Sequence, residues 1–262
     1  MDLKIKNKWA LITGGANGIG EEISCQLAKE GVNIVVTSRS ENPIKNLQQK
    51  LAHLNVEIHG IVVDFLEPNW MDDFKHKISK FSISILINNA GHTLNVTDPH
   101  CSVDDWHRVM ELNFYTAVNL CNLLIPNMKA NQWGRIINIT SCAGLENSGP
   151  VTYSVSKSSL TVYTRTMGRI LATEGGHVVM SAIYPGVVAT EGGHWDNIIK
   201  NNPSHAEKYL KERSPLKRFG LASEIAPVVV FQCSDLASFS HGAIIPVDGG
   251  QSRHYSSFNY LS

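Results

Sequence analysis

"WALITGGANGIG", residues 9–20, lays out the chain's first strand, turn and helix. Its first half, Trp9 to Thr13, is a short apolar run that reads as a buried strand. Its second half opens a segment of helical periodicity, Ile19 to Glu30, stopped by Gly31. Between them lies T-G-x-x-x-G-x-G, carried by Thr13, Gly14, Gly18 and Gly20. Glycine permits a tight turn and lets backbone approach a pyrophosphate. The helix that follows offers unpaired N–H groups and the positive end of its dipole to an anion. The same glycines would also serve an ordinary turn, so the strand-to-helix setting is what points to a nucleotide.

The pattern repeats outward from this unit. "NIVVTS" (33–38), "EIHGIVV" (57–63), "ISILIN" (83–88), "RIINIT" (135–140), "HVVMSAIY" (177–184) and "AIIPVD" (243–248) read as further strands. Longer segments of helical spacing separate them, including a polar helix through about residue 53. Continuous apolar runs suit parallel strands buried on both faces. Their alternation with helices predicts an α/β fold: a doubly wound parallel sheet of about seven strands. No low-complexity linker interrupts it, so one domain is expected over 1–262.

Bulk properties narrow the partners. Of the 262 residues, 43% are hydrophobic and 18% charged, with a formal net charge of zero. Nothing in that balance asks for nucleic acid or an anionic membrane. Five scattered cysteines without a C-x-x-C suit a reducing cytosol better than a disulfide framework. The apolar run near the N-terminus is cut by glycines too early for a signal peptide, and no stretch approaches the roughly 18 apolar residues of a membrane span. A cytoplasmic protein is expected.

Three further places carry chemistry. The second strand ends in Ser38 and Arg39, where many NAD-binding folds place an acid for the adenosine ribose. An acid repels the extra phosphate of NADP, whereas arginine clamps it through charge-assisted hydrogen bonds. NADP(H) is therefore favoured, with NAD(H) possible and a solvated surface arginine the plain alternative. Asp64, after the third strand, can accept from an adenine amino group. Asn88, Asn89, Ala90 and Gly91, after the fourth, bring small residues where a cofactor lies close to backbone; both sets also suit turn chemistry.

The third place is "PVTYSVSKSSL" (150–160). Tyr153 and Lys157 fall on one helix face, about 6 Å apart along the axis. A phenol is a poor base at neutral pH, its ordinary pKa being about 10. A nearby ammonium and the positive charge of a nicotinamide would favour the phenolate. Ser141, just past a strand, can hydrogen-bond a substrate oxygen, and Asn113 can link Lys157 to water or act as a plain polar helix residue. Y-x-x-x-K alone is a weak signal; Tyr153 is the one tyrosine with lysine at that offset, Tyr209 having Arg213.

With these residues in view, the chain resembles the short-chain dehydrogenase/reductase family over nearly its whole length. "TGGANGIG", Asp64, "INNAG", "ELNF", "GRIINITS", "YSVSK", "YPGVVAT" and "VDGG" follow in the family's order. The resemblance implies a Rossmann-like fold and the catalytic group Asn113, Ser141, Tyr153 and Lys157. It implies cofactor contacts from Gly14, Asn17, Gly18, Ile19, Gly20, Asn89, Ala90 and Gly91, from Tyr153 and Lys157, the latter at the nicotinamide ribose, and from Pro185, Gly186, Val188 and Thr190, the last two at the carboxamide. It also implies a homodimer or homotetramer packed through the helices around 103–130 and 152–173 and the C-terminal strand region. Activity would be interconversion of a secondary alcohol and a ketone, with reduction by NADPH favoured; an NAD-linked alcohol or sugar dehydrogenase and a regulator without turnover are the alternatives.

Two departures stand out. The loop "CAGLENSGPVT" (142–152) is one residue shorter than in many relatives, and "GGHVVMSAIYPG" (175–186) differs from the wording usual in 3-oxoacyl carrier protein reductases. Segment 190–216, after the sixth strand, is expected to overhang the site as a lid. Its mixture of charged and aromatic residues favours a polar carbonyl compound such as a sugar derivative, with His194, Trp195 and Tyr209 as candidate substrate neighbours.

Overall fold

The computed structural model describes residues 1–146 and 148–253. Asn147 of the short loop before Tyr153, and positions 254–262 of the expected domain, lie outside the described residues.

Among the described residues, seven strands form one parallel sheet: β1 (Trp9–Ile12), β2 (Asn33–Ser38), β3 (Ile58–Val62), β4 (Ile83–Asn88), β5 (Gly134–Ile139), β6 (Val178–Pro185) and β7 (Ile244–Val247). Their order is β3-β2-β1-β4-β5-β6-β7. Each strand falls where an apolar run was read, within a residue or two. The helices are α1 (Gly18–Lys29), α2 (Glu41–Leu51), α3 (Trp70–Ile78), α4 (Val103–Met110), α5 (Thr116–Ala130), α6 (Val151–Thr173), α7 (His194–Asn201), α8 (Pro203–Arg213) and α9 (Ala222–Gln232). The doubly wound expectation is met.

The strand pleat sorts the core into two layers. Ile12, Ile34, Val36, Ile85, Ile87 and Ile137 pack with Ile23 and Leu27 of α1 and Ile225 and Val229 of α9. Leu11, Val35, Leu86, Ile136 and Met180 pack on the other face with Phe74 of α3 and Leu120 and Leu124 of α5. Ile12 pairs with Ile87, Asn88 with Asn138, and Ile139 with Ile183. This register brings the C-terminal ends of β1, β4, β5 and β6 to one edge. The strand order reverses between β1 and β4, and a crevice at such a switch point is where open α/β sheets bind ligands.

A buried polar row fixes α6 against that edge. Asn88 Nδ2 donates to Asn138 Oδ1 and Asn138 Nδ2 donates to Thr164 Oγ1, each at 2.8 Å. Inside a sheet such bonds are directional as apolar contacts are not, so they set the rotation of α6 and with it the face that carries Tyr153 and Lys157. No helix of the described residues is long and apolar enough to cross a membrane.

Candidate active site

The glycine turn is held open from two sides. Thr37 Oγ1 accepts from Gly14 N at 3.0 Å. Thr13 Oγ1 accepts from Asn89 N and Ala90 N, both at 2.9 Å, tying the end of β1 to the end of β4. Gly14 and Gly18 adopt φ of +61° and +55°, a region that favours glycine. A Cβ on Gly20 would collide with Gly14 O and Asn89 Nδ2, so the third glycine lets α1 pack against the turn. Asn17 is the N-cap of α1 but makes no side-chain cap, which leaves the first N–H groups, at Gly18 and Ile19, for another acceptor. Across the groove, Thr190 Oγ1 lies 3.3 Å from where a Gly18 Cβ would stand. A bare glycine wall, an uncapped helix start and a hydroxyl opposite fit a diphosphate.

Other cofactor candidates divide. Asn89 turns its side chain onto the turn itself, donating to Thr13 O at 2.9 Å, so its role is to build the cradle. Asp64 Oδ1 accepts from Leu66 N at 2.9 Å, and Ser38 Oγ accepts from Ser40 N at 3.4 Å. Arg39 is exposed at the end of β2, within electrostatic reach of His92. Beyond Pro185, Gly186 N donates to Val247 O, and Ala189 N to Gly220 O, both at 3.1 Å. These bonds hold Val188 and Thr190 at the strand edge.

Ser141 ends β5 in extended conformation and caps a 3-10 turn, its Oγ accepting from Ala143 N at 3.1 Å. Its hydroxyl also lies close enough to the Tyr153 phenol to pull that group's pKa down against the effect of burial. Lys157 is 2% exposed, and its Nζ donates to Ile139 O at 2.9 Å and stands 5.7 Å from the Tyr153 ring centre. Ser141, Tyr153 and Lys157 thus lie together at the tip of β5.

Burial sets the charges differently from the sequence expectation. Desolvation pushes the Tyr153 phenol up to about 12, with the Ser141 hydroxyl opposing it, and pulls Lys157 down to about 8. The lysine is directed at a carbonyl and is itself short of water, so in the protein alone it does not draw Tyr153 toward the phenolate.

Asn113 lies on a π-helical turn, Glu111–Tyr115, between α4 and α5. The sequence suggested plain helix there. Asn113 Nδ2 donates to His92 O and Val109 O, both at 2.8 Å, and its Oδ1 accepts from His92 N at 3.1 Å. The side chain thus clamps the backbone just after Gly91. A Cβ at Gly91 would stand 2.7 Å from Asn113 Oδ1 and 2.8 Å from Lys157 Nζ, so both atoms converge on this glycine.

The family model for short-chain dehydrogenases matches residues 8–197. The chain belongs to the short-chain dehydrogenase family. It is accordingly an oxidoreductase of the alcohol–carbonyl type that works with a nicotinamide dinucleotide. The 3-oxoacyl-[acyl-carrier-protein] reductase of Aquifex aeolicus is 33% identical over 254 residues, covering 95% of this chain and 99% of that protein. Its counterpart in Pseudomonas aeruginosa is 30% identical over 251 residues, covering 95% and 98%. Among solved structures, L-sorbose reductase from Gluconobacter frateurii, complexed with NADPH and L-sorbose, superposes with a TM-score of 0.87 at 31% identity, covering 96% of this chain and 98% of that one.

After β6 of this short-chain dehydrogenase core come α7 and α8, which pack chiefly on each other. Trp195 packs at 5.4 Å from His194, 4.3 Å from Tyr209 and 5.2 Å from Phe219, and stacks on His205 at 6.3 Å. The three candidate substrate neighbours are thus brought together, with Trp195 as the centre of the pair's own small core. Sequence reading missed His92 and Gln251. His92 adjoins "NNAG" and that adjacency was available as a signal; Gln251 lies past the last motif and had none.

Proposed function

We propose that the protein reduces a polar carbonyl substrate with NADPH, with Asn113, Ser141, Tyr153 and Lys157 as the catalytic group. The meeting of Ser141, Tyr153 and Lys157 at the tip of β5 carries this reading. A bound nicotinamide dinucleotide supplies the hydride. Ser141 and Tyr153 hold the carbonyl oxygen from two directions, and Tyr153 delivers a proton to it as negative charge develops. Donors already aimed at that oxygen stabilise the transition state more than the ground state. A protonated phenol, as burial favours here, is the form that can donate. Lys157 and Asn113 Oδ1 converge beside Gly91, close enough for one water to bridge and return the proton.

Arg39 supports NADPH over NADH through its charge at the end of β2, and the sorbose reductase likeness points the same way. That likeness, with the histidines and aromatics of α7 and α8, favours a ketose or related polyol carbonyl over a long acyl chain. A homodimer or homotetramer is the proposed assembly: Val103, Tyr115, Val155 and Val162 leave apolar side chains exposed along α4, the π-helical turn and α6. A cytoplasmic setting fits the scattered, unpaired cysteines.

The test is NADPH oxidation, followed by the loss of the reduced nicotinamide's absorbance, against ketoses, sugar acids and a 3-oxoacyl thioester. Turnover with a polar ketone at higher kcat/KM than the thioester is the expected result. No oxidation with any carbonyl would overturn the reductase reading, and a preference for the thioester would overturn the substrate class.

A further inference from the structure

Gln251 joins three parts of the site that the sequence keeps far apart. The chain leaves β7 through Gly249 and Gly250, whose φ values of +61° and +78° turn it back toward the strand tips. Gln251 Oε1 then accepts from Val187 N at 2.8 Å. Its Nε2 donates to Tyr209 Oη at 2.8 Å and approaches Cys142 Sγ at 3.5 Å. Val187 belongs to the segment that leads to Val188 and Thr190, Tyr209 to α8, and Cys142 is the neighbour of Ser141. Ser252 and Arg253 extend the strap: Ser252 Oγ pairs with Tyr184 Oη at 2.8 Å, and Arg253 N donates to Glu146 Oε1 at 2.7 Å.

We propose that Gln251 is a positioning residue that locks the α7–α8 lid onto the segment 187–190 and the turn after Ser141, and so sets how the carbonyl substrate is seated. The proposal rests on the carbonyl-reductase reading above.

The chemistry of the side chain suits the task. A carboxamide holds one acceptor and two donor hydrogens in a rigid plane, so it can accept from a backbone N–H while donating to a phenol oxygen and a thiol. Burial pushes the Cys142 thiol up, which keeps the sulfur a neutral acceptor. The lid needs such a pin. α7 contains no buried residue and α8 only Ala206. An element with so little apolar burial opens at low cost, and one polar tie shifts its closed population. Tyr209 transmits that tie, because Trp195 lies 4.3 Å from it and carries His194 and His205 on its other sides.

The experiment compares Gln251→Met, Tyr209→Phe, Gln251→Glu and the double variant Q251M/Y209F in the full chain loaded with NADPH. Met keeps the length and loses every bond; Glu still accepts from Val187 N and accepts the Tyr209 proton. Expected for Q251M and Y209F is a substrate KM raised about tenfold, the worth of one hydrogen bond, with NADPH affinity changed less than about twofold. The double variant should match Q251M, and Q251E should recover most of the loss. Trypsin should cut at Lys208, Lys211 and Arg213 several-fold faster in Q251M and Y209F, a readout that needs no turnover. Additive losses in the double variant, unchanged cleavage, or an equal loss of NADPH affinity would each overturn the lock. If the parent protein reduces no carbonyl, the reductase reading fails while the cleavage rates still decide the lock. Y209F, a deletion of one partly exposed hydroxyl, keeps the test alive should Gln251 variants fold poorly.

Discussion

Lys157 donates from Nζ to the carbonyl of Ile139 at 2.9 Å, so the ammonium of α6 is anchored on the last residue of β5. The bond fixes where the side chain ends and, with burial, what charge it carries. Lys157 is pulled down to about 8 and Tyr153 is pushed up to about 12. Two consequences follow, one for stability and one for rate.

For stability, the unfolded lysine keeps its proton up to about 10.4. Between about pH 8 and 10 the unfolded chain therefore binds more protons at Lys157 than the folded one, and stability at this group rises with pH. Tyr153 acts in the opposite sense above about pH 10, where the folded phenol keeps a proton that the unfolded one releases. Lys157→Met should remove the rise between pH 8 and 10 and stabilise the ligand-free protein at pH 7 by on the order of 1–3 kcal/mol. Thermal melts at several pH values measure both. A parallel pH slope in the variant would show that the lysine is charged and well solvated in the fold.

For rate, Tyr153→Phe removes the hydroxyl while keeping the ring. The turn around Gly14, the clamp on His92 and the Ile139–Lys157 bond are all made by other residues. Turnover should fall by a factor of at least 10² to 10⁴, the usual worth of a positioned acid, with NADPH titration nearly unchanged. Turnover equal to the parent would remove Tyr153 from the chemistry.

Thr13 was read only as the first letter of a glycine motif, yet the residue is 1% exposed and its hydroxyl accepts from two backbone N–H groups at 2.9 Å. Thr13→Val keeps the shape and leaves Ala90 N without that acceptor, while Asn89 N keeps its bond to Ile87 O at 3.1 Å. The loss should be about 1–3 kcal/mol of stability, the usual cost of a buried unsatisfied donor. Thr13→Ser should restore most of it. Chemical denaturation of the three proteins decides, and a Val variant as stable as the parent would mean that water replaces the hydroxyl.

The strands were legible because each is a short apolar run, nearly wholly buried in β1, β2, β4, β5 and β6 and half-buried in the edge strands β3 and β7, a pattern that local composition fixes without tertiary help. Tyr153 and Lys157 were legible because one helical turn places them together wherever the helix goes. What long-range packing decides was not. The π-helical turn at Glu111–Tyr115 depends on Asn113 reaching His92, 21 positions away. The sign of the Tyr153 shift depends on how much water the folded site excludes, and Gln251 owes its role to partners 42, 64 and 109 positions distant. None of these separations leaves a periodic trace.

Arg39 tests the choice of cofactor. It is exposed, and with Arg39 and His194 both nearby, burial and positive charge hold the His92 imidazole below its usual range. His92 Nδ1 accepts from Leu94 N at 2.8 Å, which also favours the neutral ring. The cleft mouth on this side is therefore positive chiefly through the guanidinium. Arg39→Ala should weaken NADPH binding by about 1.5–3 kcal/mol, the worth of a charged hydrogen bond, and leave NADH binding within about twofold. His92 should then titrate closer to its ordinary value, because the guanidinium charge that helps depress it is gone, while burial remains. Calorimetric titration with both dinucleotides, and the imidazole resonance of His92 followed against pH, give two independent readings. Equal weakening of NADPH and NADH would assign Arg39 to the part of the dinucleotide that the two share, and an unchanged NADPH affinity would leave it a solvated surface charge.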